Sequence, residues 1–143
     1  AEAALQRATE AAQLFRQLGD GNGLADALRI VVGAHRLLES SDDAWEVATD
    51  ELASFRVAGD RRGMAAMHLS LGEVELMEND PEQARSSASE ALMLCREVGD
   101  KKLEGAVLLA LVSIYLDREE GAEKALRAGR EALELFQGLE DKK

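Results

Sequence analysis

A Gly-Asp pair recurs at intervals of 40 residues along this chain. The pairs are Gly19-Asp20, Gly59-Asp60 and Gly99-Asp100. The segment before each pair has apolar residues at helical spacing. Phe15, Phe55 and Cys95 occupy the same position in successive segments, and Phe136 occupies it in a fourth copy. A fixed period of this length is the signature of repeat architectures, in which one unit packs only on its neighbours. The period therefore constrains the fold more than any other feature of the sequence.

Each unit is predicted to contain two helices. In the unit 61–100, apolar residues at helical spacing are followed by Asn79-Asp80-Pro81, which ends the first helix. Asp80 is the expected N-cap of the second helix, with Pro81 at its first position and Gly99 at its end. The predicted helices span 1–18, 24–38, 44–58, 64–77, 82–98, 103–116 and 122–139.

The chain is predicted to be one all-α domain, 1–143. It divides into a half repeat 1–20 and the repeats 21–60, 61–100 and 101–141. The composition agrees, because aromatic residues are 3% of the chain and proline occurs once. The last helix has an apolar face with no later helix to cover it (Ala125, Ala128, Ala132, Leu135 and Leu139). We therefore expect that the domain was excised from a longer array and that its uncovered apolar ends tend to associate with other copies.

The chain resembles tetratricopeptide repeat proteins over its whole length. The resemblance rests on Leu71-Gly72, Ala84 and Ala91 in one unit and on Leu111, Tyr115, Ala125 and Ala132 in the next. The common form of this repeat has 34 residues, so a 40-residue unit resembles the long-helix variety. The resemblance implies a right-handed α-solenoid of antiparallel helix hairpins, with about 3.5 repeats and seven helices. HEAT-type repeats are the alternative.

No residue pattern points to catalysis, a cofactor or a metal. The glycine-rich segment 19–23 follows no strand and lacks the lysine of a phosphate loop, so it is expected to be a turn. His35, His68 and Cys95 do not have the spacing of metal ligands, and Cys95 alternates with phenylalanine as a core residue. Trp45 is expected to be partly buried, and an exposed Trp45 would be a partner anchor. The chain is therefore not expected to be an enzyme.

The charge and hydropathy patterns restrict the partners. The formal net charge is −11, which disfavours nucleic acid. The longest uncharged run, 105–116, is too short to span a bilayer, so no membrane partner is expected. One cysteine forms no internal disulfide. The expected location is cytoplasmic, and the expected partners are other proteins or peptide segments, or a homo-oligomer.

The turns inside the units differ in charge from the turns between units. From Glu39 to Glu51 and from Glu73 to Glu82 every charged side chain is acidic, and Glu119, Glu120 and Glu123 match them in the last unit. The turns between units are basic: Arg61-Arg62, Lys101-Lys102 and Lys142-Lys143. Stacked units would then have one acidic edge, which is either a solvated rim or a docking edge for a basic partner.

The resemblance also implies a concave groove lined by the first helix of each unit. Its predicted lining is Asp26, Arg29, Arg36, Leu69, Glu73, Met77, Leu109, Ser113 and Asp117. The lysine and asparagine pattern of the family's carboxylate clamp is missing. An apolar floor with mixed charge suits an amphipathic helix or an extended segment better.

The leading functional prediction is a non-catalytic protein–protein interaction scaffold that presents this groove and the acidic edge. The alternative is a self-association module, built by packing of repeat ends or of charged edges. A regulatory domain of an enzyme in a longer polypeptide is a more distant possibility.

Overall fold

The computed structural model describes residues 1–117 and 121–141, and in them the chain forms seven α-helices and no strand. The helices are α1 (Glu2–Leu18), α2 (Gly21–Leu37), α3 (Ser41–Ala58), α4 (Arg61–Met77), α5 (Pro81–Val98), α6 (Lys101–Leu116) and α7 (Ala122–Asp141). The predicted all-α class and helix number are confirmed. Glu119, Glu120 and Lys142-Lys143, named in the charge analysis, lie outside the described residues.

The recurring Gly-Asp pair both ends one helix and begins the next. Gly19, Gly59 and Gly99 follow α1, α3 and α5 with φ of 71°, 70° and 74°, the left-handed conformation that glycine adopts at least cost. Each following aspartate is an N-cap, as where Asp60 Oδ1 accepts a hydrogen bond from the Gly63 N–H at 2.9 Å. Because of these caps, α2 and α4 begin three residues earlier than predicted and α6 begins two residues earlier.

The turns inside the units are built differently. The Gln83 N–H donates to Asp80 Oδ1 at 3.2 Å, and Pro81 begins α5, as the sequence predicted. Ser40 precedes α3 but makes no capping hydrogen bond through its side chain. Positive φ values at Glu39 (58°) and Asn79 (62°) turn the chain here without glycine.

Each helix packs on the next one along the chain. Beyond that, the first helices of the units contact one another, whereas the second helices do not. The first helices of the units, α2, α4 and α6, form a row in which α4 lies against both α2 and α6. The second helices, α1, α3, α5 and α7, have no Cα–Cα approach within 8 Å of one another in the described residues. The first helices are therefore the more closely spaced row.

Small residues allow the close approach of helices in the core. Ala44, Ala48, Ala84, Ala88 and Ala91 are all fully buried. At Gly72 of α4, an added Cβ would lie only 3.3 Å from the Ala84 carbonyl oxygen of α5. Larger side chains such as Met67 and Ile114 fill the space between these contacts.

The joints between units hold a size-matched pair of side chains. An added Cβ at Gly23 would lie 2.5 Å from the Phe15 ring, and one at Gly63 would overlap the Phe55 ring. At the third joint, the equivalent places are taken by Cys95 and Leu103, both buried. A large residue on the second helix thus goes with glycine on the next helix, and a small one goes with leucine.

Candidate functional site

An open cavity of about 390 Å³ lies across the row of first helices. We call it the arginine pocket; its walls come from α2 (Asp26, Arg29, Ile30, Arg36), α4 (Arg62, Glu73) and α6 (Lys102, Leu103, Ala106). Four of these residues are cationic and two are acidic. The pocket is thus locally positive in a chain whose net charge is −11, and apolar side chains share its surface.

Two arginines of α2 share one carboxylate of α4. Arg29 Nη2 donates to Glu73 Oε1 at 3.0 Å, and Arg36 Nη2 lies 3.7 Å from Glu73 Oε2. The Arg29 Nε atom is buried and has no hydrogen-bond partner among the described residues. Glu73 therefore neutralises this pair of guanidinium groups only in part.

Arg62 of α4 connects α2 to the N-cap of α6. Its Nε donates to Asp100 Oδ2 at 2.7 Å, its Nη2 to Asp26 Oδ1 at 3.0 Å and its Nη1 to the Asn22 carbonyl oxygen at 3.3 Å. Burial lowers the pKa of Arg62, but the hydrogen bonds to Asp100 and Asp26 outweigh it and the pKa is raised. Burial alone would raise the pKa of Asp100. Hydrogen bonds from the Leu103 N–H and from Arg62 lower it by more, so the net shift is downward.

The structure brings four of the nine predicted groove residues into this pocket: Asp26, Arg29, Arg36 and Glu73. Leu69 is only 1% exposed, so it belongs to the core and not to a lining surface. The reason is that α4 is covered by both α2 and α6, whereas the equivalent Leu109 of α6 is 50% exposed.

The remaining predicted residues lie on exposed surface outside the pocket. Met77 is 43% exposed, and Ser113 and Asp117 are also exposed. Conversely, the pocket includes Arg62 and Lys102, which the sequence analysis assigned to a basic turn. Their position two residues after an N-capping aspartate, on the same helices as the predicted lining, was the signal that could have placed them there.

A second cavity, of about 420 Å³, lies at the acidic edge. This edge pocket is formed by the start of α3 (Ser41, Asp42, Trp45), the end of α4 (Val74, Glu75, Glu78) and the start of α5 (Asp80, Gln83). Burial raises the pKa of Glu75, although Ser87 Oγ donates a hydrogen bond to Glu75 Oε1 at 2.5 Å. Trp45 is 53% exposed, more than the partial burial expected, and it stands at this pocket.

A third, mostly apolar depression of about 460 Å³ lies along α6 and α7. This apolar hollow is formed by Val112, Leu116, Ala122, Ala125, Leu126, Gly129, Arg130 and Leu133. Leu116, Leu126 and Leu133 are 64%, 55% and 57% exposed. By contrast, Leu135 and Leu139, which the sequence analysis placed on an uncovered face, are partly buried.

The cysteine and histidines are separate from these cavities. Cys95 is fully buried as a core residue, as predicted, and burial raises the pKa of its thiol to about 12, which keeps it protonated and unreactive. Burial lowers the pKa of His68. Within residues 1–117 and 121–141, no three His, Cys, Asp or Glu side chains form a group that could hold a metal ion.

Comparison with known proteins adds no assignment, because the sequence matches no protein-family model and no curated protein. None of the described helices combines the length and the apolar character needed to cross a bilayer.

Proposed function

We propose that this chain is a non-catalytic protein-interaction scaffold that holds a peptide segment of another protein across its first helices. The observation that carries the proposal is the arginine pocket, since one open cavity draws its walls from α2, α4 and α6 together. A site that spans three units is the kind of surface that repeat proteins use for extended ligands.

The helix contacts support the solenoid part of this proposal. Closely spaced first helices and more distant second helices are what a curved stack gives, with the first helices on its inner side. We propose a right-handed α-solenoid of tetratricopeptide type, in which the arginine pocket lies in the concave groove and the edge pocket lies on the acidic rim. The proposal includes a cytoplasmic location, because the fold uses no disulfide and Cys95 is a free thiol.

Selection from a random peptide library displayed on phage tests the groove. We expect peptides that bind the wild-type protein and lose binding to Ile30→Asp, because Ile30 is 56% exposed at the arginine pocket. Val57→Asp is the matched control, since Val57 is 91% exposed and does not line that pocket. Enrichment of no peptide, or equal loss with both variants, would show that the groove is not the binding site.

Self-association is the second candidate, and the apolar hollow favours it. Monomeric proteins rarely leave several large apolar side chains exposed together, as Leu116, Leu126 and Leu133 are. Light scattering on a sizing column would give a dimer or larger species that Leu126→Glu or Leu133→Glu converts to monomer. A wild-type mass of 15.5 kDa at all concentrations would exclude this candidate.

A further inference from the structure

We propose that the arginine pocket binds a side-chain carboxylate of an acidic peptide segment, which Arg29 and Arg36 hold. This inference rests on the proposed function, because it names the chemistry of the segment that lies in the groove. It differs from general charge attraction, since a chain of net charge −11 repels acidic partners at long range. Recognition must therefore come from donors inside the pocket.

Arg29 has one guanidinium donor that no acceptor uses in the described part of the chain. Its Nη2 is bound to Glu73, but its Nε is buried and lacks an acceptor in the described part of the chain. A buried donor without a partner costs free energy, and a charged one costs more. This atom is covered by protein atoms where it lies, so a ligand carboxylate would satisfy it by drawing the Arg29 side chain further into the open cavity.

The pocket has two guanidinium groups at the single carboxylate of Glu73. The Arg36 guanidinium group makes no hydrogen bond within residues 1–117 and 121–141; its nearest anion is Glu73, at 3.7 Å. Arginine and carboxylate form paired, parallel hydrogen bonds when the geometry allows it. Two arginines that share one carboxylate can accept a second carboxylate, which would balance the local charge.

The size and lining of the cavity indicate the source of that carboxylate. The cavity of about 390 Å³ is much larger than a single carboxylate, and it includes Leu103, Ala106 and the exposed Ile30. A free anion would leave this apolar surface in water. A peptide in which apolar residues flank a glutamate or aspartate would cover the apolar surface and satisfy the arginines together.

Isothermal titration calorimetry with two matched peptides tests the inference. One short peptide repeats Leu-Glu-Ser and the other repeats Leu-Gln-Ser; both are acetylated and amidated, so that every carboxylate belongs to a side chain. We expect the glutamate peptide to bind at least about tenfold more tightly, since charge-assisted hydrogen bonds are the stronger ones. Arg29→Gln and Arg36→Gln should each remove most of that preference, whereas Arg7→Gln, an exposed arginine of α1, should leave it unchanged.

Glu73→Gln gives a result that a purely structural role would not produce. Removal of the internal carboxylate frees the donors of Arg29 and Arg36, so we expect the glutamate peptide to bind several-fold more tightly to this variant. Unchanged or weaker binding would contradict the inference that a ligand carboxylate takes over these donors. Circular dichroism of each variant checks that the helices are retained.

The other outcomes separate this inference from the proposed function. Equal affinity for the two peptides, with both lost in Ile30→Asp, would overturn the carboxylate inference and support the groove. No binding of either peptide would also overturn it, while the library selection decides the groove independently. Inorganic phosphate is titrated as well; if it binds as tightly as the glutamate peptide, the pocket is a free-anion site and the peptide assignment is wrong.

Discussion

Single residues at the unit joints decide how the helices meet. Phe55 and Gly63 fit together because glycine leaves room for the ring, and Cys95 and Leu103 divide the same volume the other way. Since protein interiors are close-packed, neither partner of a pair can change size alone without a clash or a cavity.

Transfer of the third joint into the second tests this size matching. We expect Gly63→Leu to cost at least about 1–3 kcal/mol by overpacking and Phe55→Cys about 3 kcal/mol by leaving a cavity. The double variant should lose clearly less than the sum, as measured by urea unfolding in a double-mutant cycle. Gly33→Ala is the control, because its added Cβ would meet no side chain and no other helix within 4 Å; it should stabilise α2 slightly. Additive losses at the joint would refute the size matching.

The N-caps provide a second test at the residue scale. Asp60→Ala removes the acceptor for the Gly63 N–H and should lower the free energy of unfolding by about 1 kcal/mol. Ser40→Ala should have almost no effect, because the Ser40 side chain does not cap α3. Thermal unfolding of the two variants side by side measures the difference. Equal losses would mean that the Asp60 hydrogen bond is not what stabilises the start of α4.

At the scale of helices, one hydrogen bond joins α4 to α5 at the edge pocket. Ser87 Oγ, which is buried, donates to Glu75 Oε1, and Glu75 lines the edge pocket. Burial raises the pKa of Glu75. The folded protein therefore takes up this proton at a higher pH than the unfolded chain does, so ionised Glu75 lowers stability at neutral pH.

Glu75→Gln should accordingly stabilise the protein at pH 7. The gain should be below about 1 kcal/mol, because Glu75 is only partly buried. It should vanish as the pH falls below the usual glutamate pKa of about 4.3, where Glu75 is protonated in both states. Melting temperatures across pH measure the two curves. Glu78→Gln, at the exposed C-cap of the same helix, controls for the loss of one charge. A gain that persists at low pH would rule out this cause.

The helices were predictable from sequence, but the exposure of their faces was less so. The apolar spacing within each 40-residue unit, with breaks such as Asn79-Asp80-Pro81, located all seven helices, because spacing and turn residues act over a few neighbouring positions. The early starts of α2, α4 and α6 were missed because Asp20, Asp60 and Asp100 were taken only as turn residues. Leu69 was assigned to the lining by equivalence with Arg29 and Leu109. That equivalence fails because α4 alone has a first helix on both sides.

At the scale of the whole molecule, the Arg62 side chain links α4 to α2 and to the N-cap of α6. It binds Asn22 and Asp26 of the unit 21–60, and Asp100, the last residue of its own unit, which caps α6. Side-chain pairs link the second helices as well, as where Arg16 binds Glu51 at 2.6 Å. Arg62 and Asp100 are each 22% exposed, whereas Arg16 is 52% exposed, so we expect the Arg62–Asp100 pair to contribute more to stability.

Arg62→Gln should lower the free energy of unfolding by about 1–2 kcal/mol at neutral pH. The pKa of Asp100 is lowered in the fold, so its stabilising contribution is present above the unfolded-state pKa and is lost as the pH falls through the folded-state value. The difference between variant and wild type should therefore shrink in acid. Arg61→Gln is the control, because Arg61 is exposed and its ion pair with Glu97 is 4.0 Å long. Urea titrations at several pH values test this; a difference independent of pH would exclude the Asp100 pair as its source.

The size-matched joints also set rules for rearranging the units. The unit 21–60 has Gly23 at its first joint and Phe55 at its last joint. A second copy placed after it would set Gly23 against Phe55, which is a matched pair. The unit 61–100 enters with Gly63 but leaves with Cys95, so a second copy placed after it would meet a void. Placing the unit 101–141 directly after 21–60 would drive Leu103 into the Phe55 ring. The side chains at the joints thus restrict which unit can follow which. Recombination that reorders the units is expected to give a well-packed protein only for a few orders.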